Sequence, residues 1–410
     1  MPHVIDAISG LQASSTALAQ LPATDIIDAL AVTAKAFADP HSTWGRRARD
    51  VLPASTGLSP TMVDWALSTT MRASDAQALM TLRQSLLPTM PQMKAVPASL
   101  GVVILAGNIF SASWRALAEP LLQHCPTLAK ASSRDGAFPK LIQEALTQIS
   151  PALAQGLVVV DYKGGSSDIE AAVFDAAAVV SVYGSDETIT NVRRRLPAKA
   201  RLIAHGHGLG AVYVPKAALR DEQTFYATCD AIALDVAAYD QRGCMSPQGI
   251  WVEAGGATNA RQLAETLAAR SLPALGNLLP RGPLSVATAA AELQWRGVSA
   301  VQGELMKKND FAVCHEGQAA FRATPGYRNI SVWSCKSLEH LAQTLAPFGA
   351  QLKVIGVAGN IAARRRVATA LHSALAPRIC EVGQMQTPPL DYISDGLTPA
   401  LSYSRWLEIR

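Results

Sequence analysis

The covalent chemistry this sequence offers rests on one cysteine in a polar turn. The stretch Tyr239-Asp240-Gln241-Arg242-Gly243-Cys244-Met245-Ser246-Pro247-Gln248 sets Cys244 directly after a glycine. An apolar run that reads as a helix end (231–238) precedes it, and one that reads as a strand start (249–253) follows. A thiol at such a junction is exposed enough to react and held firmly enough to aim. Thiolates are the strongest ordinary protein nucleophiles near neutral pH, and a helix N-terminus or a nearby cation raises the thiolate fraction. A small buried cysteine is the plainer alternative for any single thiol, so the rest of the chain has to decide.

Three further groups have residue types suited to the partners of such a thiol. Ala106-Gly107-Asn108-Ile109-Phe110-Ser111 lies between a strand pattern and a helix pattern. Ala106 and Gly107 form the tight turn and border the expected cofactor site. Asn108 offers an amide donor at the carboxyl end of the strand, where α/β sheets bind ligands and where an amide can stabilise an oxyanion. An Asn bonded to its own loop is the alternative. Lys130-Ala131-Ser132-Ser133-Arg134 follows the next strand. A lysine, two hydroxyls and an arginine there suit a ribose and its phosphate, against a plain solvated loop. Tyr183-Gly184-Ser185-Asp186-Glu187 ends a strand and opens a helix. Gly184 and Ser185 can turn N–H groups toward a phosphate, or Ser185 can simply cap the helix.

The elements that must position these groups follow from periodicity. Residues 1–92 are Ala-rich and helical in pattern, clearest over 25–38 and 73–87, until Pro88 and Pro91 break it. Short apolar strands then appear at 101–106, 127–130, 157–161, 178–182 and 201–204. Helical patterns at 111–124, 138–149, 167–176 and 187–195 separate them. The alternation restarts at 211–214, with helices over 222–238 and 260–271 and later strands at 310–314, 330–333 and 352–356. This is the α/β pattern of doubly wound parallel sheets. The expected division is an N-terminal helical region plus cofactor-binding domain over 1–210 and a catalytic domain over 211–375. A Pro-rich tail over 376–410 returns to the cofactor domain or to an oligomer contact.

Composition narrows the function class. The 410 residues are 49% hydrophobic and 17% charged, which excludes disorder and allows large cores. A net charge of +4 is too mild and too dispersed for nucleic-acid binding. Arg193-Arg194-Arg195 and Arg364-Arg365-Arg366 read as solvated helix faces. The six cysteines show no CxxC pair and no zinc spacing, so no metal is expected. Reduced thiols and the lack of an export signal fit a cytoplasmic enzyme. No apolar run reaches the roughly 18–20 residues of a membrane helix.

The order GVVILAGN, LAKASS, VYGSDE and QRGCMSPQ resembles the aldehyde dehydrogenase superfamily. The stretch around Cys244, the segment Gly383-Gln384-Met385-Gln386-Thr387-Pro388-Pro389-Leu390, and Asp395-Gly396 and Arg405-Trp406 beyond it look like its LuxC-type acyl-CoA reductase branch. The resemblance covers roughly 95–410, and residues 1–90 match only in helical character.

The resemblance implies an aldehyde-dehydrogenase-like fold of two open parallel-sheet α/β domains. It makes Cys244 the acyl-accepting nucleophile and Asn108 the oxyanion-hole amide, shared with the Cys244 N–H. It places Lys130 at the adenosine ribose and Gly184 and Ser185 at the cofactor pyrophosphate. Ser133 stands where NAD-preferring members often carry Glu, with Arg134 adjacent, which implies NADPH. The Glu general base of the hydrolytic members has no counterpart in Leu202-Ile203-Ala204-His205-Gly206-His207-Gly208. A thioester on Cys244 is therefore expected to persist. His205 or His207 then tunes the thiolate or shuttles a proton, with packing in a turn the alternative. No Glu for the nicotinamide ribose is recognisable near Thr324-Pro325-Gly326-Tyr327. The implied activity is NADPH-dependent reduction of an acyl-CoA or acyl-carrier thioester to an aldehyde, by a homodimer or homotetramer that a donor protein could supply. An acyl-phosphate reductase, or a Cys-dependent acyltransferase or thioesterase without cofactor, is the alternative.

Overall fold

The computed structural model describes residues 2–317, 321–371, 376–396 and 402–410. Five helices come first: Pro2–Gln20, Ala23–Ala38, Thr43–Thr56, Pro60–Arg72 and Ala76–Ser85. Short polar side chains start three of them. Ser42 accepts from Gly45 N–H, Ser59 from Met62 N–H and Asp75 from Ala78 N–H, each satisfying an end group that the helix itself cannot. The Asp75 cap also explains why the helix expected from 73 begins at Ala76. No single helix among the described residues is long and apolar enough to cross a membrane.

Strand β1 (Met93–Pro97) leads into the first sheet. That sheet holds β2 (Gly101–Ile104), β3 (Thr127–Lys130), β4 (Leu157–Val160), β5 (Val179–Tyr183) and β6 (Arg201–His205), all parallel, in the order β4-β3-β2-β5-β6. The strand order reverses between β2 and β5, and the crevice at their carboxyl ends is where open α/β sheets take ligands. Both faces are covered. Val102 and Ile104 pack with Val4 and Ile8 of the first helix and with Phe174. Val103 and Leu105 pack with Trp114, Phe138 and the helical bundle. Burial on both sides is why these strands read as unbroken apolar runs.

The second sheet holds β7 (Leu209–Val214), β8 (Pro247–Glu253), β9 (Gly303–Lys307), β10 (Ala312–Glu316), β11 (Asn329–Cys335), β12 (Leu352–Val357) and β13 (Arg378–Glu381). Their order is β13-β12-β7-β8-β11-β10-β9, parallel except for β9 at the edge. The tail thus contributes β13 to this sheet, and its last strand, β14 (Ser404–Glu408), pairs antiparallel with β1. The boundary expected at 375/376 adjoins residues 372–375, which lie outside the described residues. The edge strands β1, β9, β13 and β14 and the helix Val286–Gln302 were not anticipated. Half-exposed edge strands of four or five residues give too little alternation to read.

Candidate active site

The turn that carries Cys244 is strained and tightly held. Helix Glu222–Ala237 ends, and Tyr239, Asp240 and Gln241 take φ of 53°, 52° and 58°. Three successive non-glycine residues in left-handed backbone cost about 1–2 kcal/mol each, so the surroundings must impose the turn. Asp240 Oδ1 accepts from Arg328 Nη2 at 2.8 Å, and its Oδ2 accepts from Gly282 N–H at 3.0 Å. Gln241 Nε2 donates to the carbonyls of Pro247 at 2.7 Å and Asn329 at 3.0 Å. Tyr239 OH lies 2.8 Å from Ser111 Oγ, in the first sheet's domain. Ser246 Oγ accepts from Gly243 N–H at 3.2 Å and closes the loop. A Cβ on Gly243 would come within 2.5 Å of Ile109 Cδ1, so the Ile109 side chain would have to shift where the two loops meet.

Cys244 is exposed at the cleft between the two sheets, whereas Cys125, Cys229, Cys314 and Cys335 are buried. Asn108 faces the same loop. Its Nδ2 donates to the Arg242 carbonyl at 3.2 Å. An amide nitrogen carries two N–H groups, so one aims the side chain and the other is available to an oxyanion. The residue is exposed, yet packing around its sulfur limits water there. That desolvation pushes its pKa up; the Asp395 carboxylate adds to the effect and the Lys353 ammonium opposes it. Burial and Asp395 together thus disfavour the thiolate.

The expected cofactor residues line the carboxyl ends of β2, β3 and β5. A Cβ on Gly107 would come within 2.4 Å of Ser132 Oγ, which packs the two turns against each other. Lys130 Nζ donates to the Ala131 carbonyl at 3.4 Å and lies 5.3 Å from the centre of the Tyr162 ring. Ser133 and Arg134 are exposed, and the Arg134 guanidinium has no ion-pair partner among the described residues. Ser132 Oγ accepts from Arg134 N–H at 3.2 Å and shapes the turn. An arginine free beside a neutral serine fits a ribose phosphate. Ser185 instead caps helix Asp186–Arg195, accepting from Thr188 N–H, and Gly184 N–H donates to the His205 carbonyl. Asp186 and Glu187 in the first turn already complement the positive end of that helix. The fit to a dinucleotide is therefore better at the ribose-phosphate end than at Gly184-Ser185.

Two residues that sequence reading missed complete the centre. His205 ends β6, and its Nδ1–H donates to Asp395 Oδ2 at 2.7 Å. The imidazole stacks on Tyr183, with centroids 4.1 Å apart. Lys353 Nζ pairs with Asp395 Oδ1. The stretch 202–208 contains no carboxylate, but the tail delivers one beside it. Contact with His205 and Lys353 outweighs burial and holds the Asp395 carboxyl well below the usual carboxylate range. His207 is exposed and makes no hydrogen bond among the described residues. Thr324, near the place expected to hold a nicotinamide-ribose acid, donates its N–H and hydroxyl to Gln248 Oε1. A groove of about 580 Å³ opens elsewhere, at the far end of β8 beside Glu253, Arg365 and Arg366, and takes in none of these groups.

A profile of the LuxC acyl-CoA reductase family matches residues 18–401. The protein belongs to the LuxC acyl-CoA reductase family. The match takes in most of the N-terminal helices, beyond the span the motifs alone suggested. No curated protein is significantly similar to this LuxC-family chain in sequence. Its fold is that of the aldehyde dehydrogenases. A salicylaldehyde dehydrogenase from Pseudomonas putida G7 superposes with a TM-score of 0.77 at 14% identity, over 99% of this chain and 90% of that one. KauB, an aldehyde dehydrogenase from Pseudomonas aeruginosa, gives 0.77 at 13% identity over 100% and 89%. A protein from Sinorhizobium meliloti 1021 in complex with NAD gives 0.76 at 13% identity over 98% and 88%. The LuxC-family protein is accordingly an oxidoreductase of the aldehyde-forming, acyl-reducing kind, and family and fold together point to a nicotinamide cofactor.

Proposed function

We propose that the protein reduces an acyl thioester, on CoA or on a carrier protein, to an aldehyde with NADPH, through an acyl group carried on Cys244. The observation that carries this reading is the meeting of the two loops at the cleft, the exposed thiol on one and the Asn108 amide on the other. Cys244 attacks the thioester carbonyl. Asn108 and the Cys244 N–H receive the oxyanion, and the substrate thiol departs. Lys130, Ser133 and Arg134 hold the adenosine ribose and its 2′-phosphate, and Ala106 and Gly107 let the backbone come close. The nicotinamide, when bound, supplies the hydride. The hemithioacetal oxyanion then collapses and frees the Cys244 thiolate and the aldehyde.

A carboxylate held as an ion by a lysine and a histidine is a weak base, so Asp395 does not activate water against the thioester. That supports reduction over hydrolysis. The test is incubation with an acyl-CoA in the absence of NADPH. One acyl mass should appear on the peptide bearing Cys244, and aldehyde should form on adding NADPH. Labelling at another cysteine, or turnover by Cys244→Ala, refutes the proposal.

A further inference from the structure

Asp395 joins three elements that the chain brings together from far apart. His205 ends β6 of the first sheet, Lys353 lies in β12 of the second, and Asp395 comes from the tail, 190 residues beyond His205. Two local distortions serve this meeting. The β12–β7 register slips between Leu352 and Val354, so Lys353 is the extra residue of a bulge. Bulges re-aim a side chain out of its ladder. The Lys353 stem then runs over Gly208, where a Cβ would come within 2.3 Å of its Cγ. Asp395 itself adopts left-handed backbone at φ 57°, with Gly396 after it at 71°. A non-glycine residue in that conformation persists only where its surroundings over-determine it. Ser394 Oγ also donates to Asp395 Oδ2 at 2.8 Å. Both oxygens of this carboxylate are therefore occupied, Oδ1 by the Lys353 ammonium and Oδ2 by the His205 Nδ1–H and the Ser394 hydroxyl.

The consequence falls on His205. An ionised carboxylate only accepts, so Nδ1 must carry the proton toward Asp395. That leaves Nε2 as the basic nitrogen, and it has no hydrogen-bond partner among the described residues. Stacking on Tyr183 fixes the ring plane. The imidazole thus has one face packed, one nitrogen anchored and one nitrogen open. Asp395 and Lys353 both act on the charge of the Cys244 thiol, so the cluster that anchors His205 borders the thiol.

We infer that Asp395 is a positioning residue that fixes His205 as the proton relay of the thiol exchange, with Lys353 keeping Asp395 ionised, so that the C-terminal tail is part of the reaction centre. The inference rests on the function proposed above. In the step, the Cys244 S–H proton passes to His205 Nε2 as sulfur bonds to the acyl carbon. The tetrahedral oxyanion collapses, the bond to the substrate sulfur breaks, and His205 returns the proton to the departing thiolate. One thioester replaces another and nothing is oxidised or reduced, so the step runs without the cofactor.

The experiment follows release of free CoA thiol from an acyl-CoA in a single turnover without NADPH. It compares the full chain with Asp395→Asn, Asp395→Glu, His205→Gln and the Asp395→Asn/His205→Gln pair, and reads iodoacetamide alkylation of Cys244 at pH 7 in parallel. General acid–base assistance is worth roughly 10²–10⁴-fold. Asp395→Asn and His205→Gln are each expected to slow thiol release about 100-fold, with the half-saturating acyl-CoA concentration little changed. The pair should be no slower than the worse single variant, and Asp395→Glu should recover part of the rate. Alkylation should be as fast or faster in Asp395→Asn, because the charge opposing the thiolate is gone. Thiol release at the unsubstituted rate in Asp395→Asn, losses that multiply in the pair, or alkylation that slows together with release each overturn the inference. Failure of the unsubstituted protein to release any thiol overturns the proposed function instead.

Discussion

Arg328 and Asp240 form a buried ion pair that clasps two left-handed turns to each other. The Arg328 Nη2 and Nε groups donate to Asp240 Oδ1 at 2.8 and 3.2 Å, and each side chain is 2% exposed. Asp240 has φ 52°, and Tyr327 and Arg328 have φ 54° and 67°. Tyr327 N–H donates to the Asp240 carbonyl at 3.0 Å. Asp240 lies four residues before Cys244 and Arg328 lies just before β11, so the turn that carries the thiol takes its shape from a loop of the second sheet.

Removing one partner of such a pair leaves a buried, unpaired charge. Arg328→Met is expected to lower stability by about 3–5 kcal/mol, read as a shift in the urea midpoint. Lysine cannot supply two donors in a fixed fork, so Arg328→Lys should recover little of that loss. A midpoint unchanged in Arg328→Met would show that the turn holds itself.

On the proposed mechanism, Asn108 acts on the transition state rather than on the bound substrate. Asn108→Ala is expected to lower kcat about 10²–10³-fold with KM altered only a few-fold, measured by NADPH consumption. A rise in KM at constant kcat would instead make Asn108 a binding residue.

Ser133 and Arg134 decide between the two nicotinamide cofactors if they meet the ribose. Ser133→Glu brings a carboxylate to the 2′-position, where it repels a phosphate and accepts from a hydroxyl. Kd for NADPH should rise at least tenfold while Kd for NADH falls or stays level, followed by fluorescence titration. Equal weakening of both cofactors would remove these residues from the ribose site.

The charge balance at Cys244 has a readable pH signature. Burial and Asp395 raise the thiol pKa, and Lys353 lowers it. Alkylation of Cys244 should therefore rise with pH and reach half its maximum above the value of about 8.5 for an ordinary cysteine. Lys353→Met removes the positive charge that favours the thiolate and should move the midpoint higher still. A midpoint below that of a free cysteine, or a downward move in Lys353→Met, contradicts this balance.

Much of the frame was readable from the residues, because buried parallel strands are continuous apolar runs and their ends mark where ligands sit. Asn108 stood out for that reason, as did Lys130 and Ser133 at and after the end of β3, whereas Cys244 stood out by its place after a glycine in a polar turn. The His205 partner did not stand out. A contact spanning 190 residues leaves no local pattern, and a bulge at Lys353 looks like any charged residue in a strand. The left-handed run at Tyr239-Asp240-Gln241 contains no glycine to announce it. His205 and His207 were equivalent in sequence, and the tail separates them. Ser185 carried two meanings from the start, and its bond to Thr188 N–H realises the capping one.

The long reach of the tail also sets an order of events during synthesis. Asp395 leaves the ribosome about 150 residues after Cys244, a delay of roughly 8–30 s at 5–20 residues per second. On the relay inferred above, the nascent chain carries Cys244 throughout that interval without the carboxylate that orients its proton acceptor. Vectorial translation would then delay full activity until the tail has joined both sheets, and a chain that stalls late would carry Cys244 without its relay.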